Sequence, residues 1–123
     1  QVDGALAALD RAAALRVPRD GVPTGPPALA AWTFDDAAGL TLSGGARVEG
    51  GRLLLDGKGA FATAALPAPV GEKTLEAWVT LDDLDQRGGA AVSVETVGGG
   101  AFDAVVFGEL ARGEWVAGSE FLR

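Results

Sequence analysis

Six side chains are of the types that hold sugars. Trp78, Phe107 and Trp115 offer flat rings for the apolar face of a pyranose, while Asp103, Glu109 and Ser119 offer oxygens for its hydroxyls. Asp103, Phe107 and Glu109 alternate along one expected strand face, and Trp115 follows the turn Ala111-Arg112-Gly113-Glu114. The candidate ligand-binding set is therefore Asp103, Phe107, Glu109, Trp115 and Ser119. Trp32 and Trp78 are read as core rings, the usual place of an aromatic in a two-layer sandwich. The chain contains no asparagine and Tyr 0, so two side chains common in sugar sites are missing.

The same acids are tested as catalysts. Glycoside hydrolysis needs two carboxyls about 5 to 5.5 Å apart for retention, or wider for inversion. Asp103 and Glu109 are expected on one face, but six residues at about 3.3 Å each put them about 20 Å apart. Glu76 and Glu95 each stand alone on an expected strand, so a pair would have to form across strands. With His 0 and Cys 0 there is no imidazole base, no thiolate nucleophile and no zinc site of the usual kind. No catalytic residue is assigned, and the chain is expected not to be an enzyme.

Two loop motifs have bland readings. Gly57-Lys58-Gly59-Ala60-Phe61-Ala62 matches a relaxed dinucleotide-binding pattern, yet that chemistry needs a helix next, and Thr63, Pro67 and Pro69 follow instead. It is read as a hairpin turn. Asp83-Leu84-Asp85-Gln86-Arg87-Gly88 begins like a calcium-binding loop, but Arg87 stands at a ligand position and Val94 at the twelfth. No metal site is assigned. Calcium is kept as the one candidate cofactor, with Asp35, Asp36, Asp103 and Glu109 as the acids that could serve it.

Charge narrows the partners. Asp plus Glu number 17 and Lys plus Arg 10, a formal net charge of −7 over 123 residues. That field repels polyanions, so nucleic acid is excluded as a partner. No apolar run reaches the about 18 to 20 residues of a membrane-spanning helix, so no membrane span is expected. The chain opens on Gln1 and has Met 0, the pattern of a processed chain or an excised piece.

These residues need elements to hold them. Residues 1–17 are read as a helical segment, because Ala and Leu dominate 2–17 and Leu6, Leu9 and Ala13 recur at helical steps. Residues 18–28 hold Pro18, Pro23, Pro26 and Pro27 with Gly21 and Gly25, and are read as a linker. From residue 29 the period becomes two. Strands are expected over 29–34, 40–42, 46–49, 52–55, 60–64, 74–81, 91–97, 102–110 and 115–121. Between them lie glycine pairs such as Gly44-Gly45, Gly50-Gly51 and Gly88-Gly89, suited to tight turns. Over 74–81, Leu75, Ala77, Val79 and Leu81 form the expected core face, opposite Thr74, Glu76, Trp78 and Thr80. The pattern predicts an all-β fold, an antiparallel sandwich or jelly roll.

Particular runs resemble a known family. Gly51-Arg52-Leu53-Leu54-Leu55-Asp56-Gly57-Lys58-Gly59-Ala60-Phe61, then Pro67, then Lys73-Thr74-Leu75-Glu76-Ala77-Trp78-Val79 resembles the laminin-G-like, concanavalin A-like jelly rolls of the lectin and glucanase type. The later runs Asp85-Gln86-Arg87-Gly88-Gly89, 102–109 and 115–121 look like the subgroup embedded in planctomycete-type envelope proteins that also carry cytochrome-c-like domains. The resemblance covers residues 29–123 and implies the N-terminal portion of such a jelly roll, incomplete at its C-terminus, because the family's later strands are absent. It also implies an exported, periplasmic or cell-envelope setting. The function expected from it is a noncatalytic module binding a carbohydrate or cell-surface polymer. Two alternatives stay open: a structural or protein-interaction domain that positions neighbouring domains of the same polypeptide, and a glucanase-type hydrolase.

Overall fold

Glycines at positive φ dictate where this chain reverses, and seven short strands occupy the stretches between reversals. The computed structural model describes residues 26–119, so the helix expected over 1–17, residues 18–25 of the linker and the end of the last expected strand lie outside them. The chain divides into two units, Gln1–Trp32 and Thr33–Arg123. In the first, the described residues form no strand or helix. In the second, every element is a strand: β1 (Thr41–Ser43), β2 (Arg47–Glu49), β3 (Arg52–Leu54), β4 (Phe61–Thr63), β5 (Ala90–Glu95), β6 (Phe102–Phe107) and β7 (Trp115–Ser119). The described part is therefore all-β. It contains no helix, and none long and apolar enough to cross a membrane.

The strands pair antiparallel in three small sheets. β2 and β3 form a hairpin whose turn residues Gly50 and Gly51 have φ of 59° and 71°, the pair of positive angles that a right-handed twisted hairpin requires. β1 pairs with β4 around that hairpin, Leu42 opposite Ala62. The largest sheet has the order β5-β6-β7, with one extra residue, Ala91, bulged out between the pairs Ala90–Val106 and Val92–Val105. Thr96 closes the β5–β6 connection: its hydroxyl accepts the Ala101 N–H at 3.0 Å, and its own N–H donates to the Ala101 carbonyl at 2.9 Å.

Two expected strands are not formed. Over 29–34 the alternation ends at Phe34, whose φ of 61° turns the backbone out of the extended region. Asp36 then accepts the Ala38 N–H at 2.8 Å and builds the turn. Residues 74–81 also form no strand, although their alternation is the cleanest in the chain. They line a hollow with the β5-β6-β7 sheet instead. In that sheet Val92, Val105, Phe107 and Trp115 stand at facing register positions, and residues 75–79, from both sides of the alternation, share the hollow with Ala91, Val92, Val105 and Trp115. The period-two pattern records an apolar side and a polar side. It does not say whether the segment hydrogen-bonds into a sheet or lies on one.

Among the described residues the buried apolar core consists of Ala104 and Phe107, 6% and 4% exposed, both on the central strand β6. A ring so thoroughly covered contributes about 1.5 to 3 kcal/mol.

Candidate functional site

The central observation is an open hollow of about 450 Å³ between the 75–79 segment and the sheet. Val92 and Val105 are cross-strand partners on β5 and β6 and supply its apolar floor. Trp115, the first residue of β7, closes one side. Its position is set from below: Trp115 is paired with Phe107 in register, and the two rings lie 5.0 Å apart at a 59° tilt, a geometry favoured by the ring quadrupoles. Buried Phe107 thus acts as a rigid support for a half-exposed indole.

The segment that follows Lys73 also lines the hollow. The Lys73 ammonium pairs with the Asp103 carboxylate on β6 at 2.5 Å and also donates to the Gly71 carbonyl at 3.3 Å. This pair is half-buried, so it is less screened than a surface pair, and it pins the start of the segment to the central strand. Three and five residues further on, Glu76 and Trp78 line the hollow, with Trp78 79% exposed. The site therefore combines two indoles, an aliphatic floor and one carboxylate.

Among the expected ligand-binding residues, Trp115 lines the hollow and Phe107 supports it. Asp103 is not in the lining and is held in its ion pair with Lys73. Ser119 ends β7 opposite Asp103 in register. Glu109 is exposed in the β6–β7 connection and is not part of the lining. The expectation that Asp103 and Glu109 share a strand face is corrected. β6 ends at Phe107, and Gly108 at φ 68° turns the chain before Glu109 is reached.

Trp78, weighed for stacking but read as a core ring, and Glu76, weighed only as a catalytic acid, are the lining residues left out of the expected set. Their signal was present: both fall on the side of the 74–81 alternation opposite the aliphatic one. A tryptophan on a polar face is already out of place for a core ring.

The other acids build loops. Asp56 Oδ1 accepts the N–H groups of Lys58 at 2.8 Å and Ala60 at 3.2 Å, and these bonds hold its carboxyl below the ordinary aspartate value. Gly57-Lys58-Gly59 is thus an Asp-anchored turn leading into β4. Asp83 accepts the Asp85 N–H at 2.8 Å, and Asp85 pairs with Arg112 of the β6–β7 connection. Among the described residues no group of three or more acids is placed to hold a metal ion. No protein-family model, curated protein or solved structure matches the chain.

Proposed function

We propose that this chain is a noncatalytic recognition module that takes a carbohydrate or cell-surface polymer in the hollow between residues 75–79 and the β5-β6-β7 sheet. One observation carries the reading: two exposed indoles, Trp78 and Trp115, open on the same hollow over an aliphatic floor. Stacking on a ring buries the apolar face of a sugar while leaving its hydroxyls in water, and an open hollow suits a chain that passes through rather than a ligand that must be enclosed. Rigid support of Trp115 by Phe107 lowers the entropy lost on binding. In its finer form the proposal places these sheets in a jelly roll of the laminin-G-like kind, within a larger exported envelope protein. Calcium is then an optional participant.

Affinity electrophoresis of the chain through gels containing a panel of polysaccharides, with calcium and with chelator, tests this. Retardation by a particular polymer is expected. Unchanged mobility in every gel overturns the reading.

A second reading, a domain that packs against neighbouring domains of the same polypeptide, is favoured by a different observation: Leu84, Val97 and Leu110 are exposed outside the hollow. Crosslinking in the full-length protein that joins these residues to a neighbouring domain would support it, and crosslinks confined to this chain would remove it.

A further inference from the structure

We propose that the hollow selects a cationic sugar chain, an amino-sugar polymer with free ammonium groups, over neutral and anionic ones. The inference rests on the recognition reading above and names its ligand class. Glu76 is the charged side chain of the lining, and it makes no ion pair among the described residues. No Lys or Arg lines the hollow. Lys73 is engaged by Asp103 and Arg112 by Asp85.

Each ligand class meets this lining differently. A uronate or sulfated chain brings negative charge toward Glu76 and toward a molecule of net charge −7, with no base in the hollow to offset it. A neutral chain gains ring stacking and hydroxyl hydrogen bonds to Glu76, but no charge–charge attraction. An ammonium group gains three terms of one sign: attraction to Glu76, attraction to the negative faces of Trp78 and Trp115, and favourable long-range steering. Indole is the strongest aromatic partner for a cation. The combination of two indoles and an unpaired carboxylate is thus complementary to an ammonium carried on an apolar pyranose face.

The test titrates the whole chain with a fully deacetylated glucosamine oligomer and with its N-acetylated counterpart, at a mildly acidic pH where the amines are protonated. The amine oligomer is expected to bind about tenfold more tightly. Glu76→Gln should abolish most of that preference, whereas Glu49→Gln, the same charge change on the separate β2–β3 hairpin, should preserve it. Thermal unfolding of each variant controls for folding. Equal binding of the two oligomers overturns the selection and leaves sugar recognition standing, and so does an equal loss of preference in both variants. Binding of neither oligomer also overturns the selection, and the polysaccharide panel then decides the recognition reading separately.

Discussion

Trp78 and Trp115 share a hollow but are held in it differently, which separates binding from stability at single residues. Trp78 is 79% exposed, so Trp78→Ala should cost less stability than Trp115→Ala while reducing polymer retardation. Trp115 packs against Phe107 in a tilted ring pair, so Trp115→Ala should lose retardation and also about 0.5 to 1.5 kcal/mol from the broken pair. Denaturant melts beside affinity gels check both, and two variants equally destabilised would contradict the assignment. Asp56 carries a pH effect. Its carboxyl is held low chiefly by the backbone N–H of Lys58, then by that of Ala60. A carboxyl with a depressed folded pKa stabilises above its unfolded value, and that contribution disappears as pH falls through the folded value. The 56–60 turn should hold at neutral pH and loosen in acid. An NMR titration should place the Asp56 midpoint below that of aspartate in the unfolded chain, and Asp56→Ala should remove the acid-side loosening.

At the scale of elements, the decisive contacts are made by turns. Gly108 follows β6 directly, and a Cβ there would sit 2.6 Å from the Gln86 carbonyl oxygen. Its N–H also donates to the Glu114 carbonyl at 2.8 Å, closing the connection into β7. Gly98 has a similar positive φ, 94°, but nothing near its missing Cβ. Gly98→Ala should therefore cost about 1 to 2 kcal/mol from the backbone alone, and Gly108→Ala a further 1 to 3 kcal/mol, roughly, from the clash. Urea melts of the pair measure the difference, and equal losses would show that Gln86 yields. Most of these turns were legible as glycine pairs in the sequence, and so were the strands between them. β1 to β7 all begin within a residue of their expected starts, because short alternating runs bounded by glycine have few other options. The exceptions are instructive. A positive φ at Phe34, a bulky residue, carries no compositional signal. The approach of Gln86 to Gly108 joins positions distant in the chain, where no local pattern could announce it.

For the molecule as a whole, net charge and exposed apolar surface oppose each other. The formal charge of −7 disfavours self-association, while Trp78, Leu84, Val97 and Leu110 favour it. Light scattering should therefore rise with added salt at neutral pH, as screening shortens the repulsion, and should peak near the sequence pI of about 4.4. Scattering that falls with salt would mean that charge pairing, not apolar contact, drives association. Composition and spacing alone determined the sign of that charge, the absence of imidazole and thiol chemistry, the β class and the places where the chain reverses. These follow from residue type and from period, which are local quantities. Tertiary structure alone decided that residues 74–81 join no sheet, and that Trp78 lines the same hollow as Trp115. The reason is physical: alternation sorts side chains into two faces, but which backbone a segment pairs with, or whether it pairs at all, depends on partners far away in the chain.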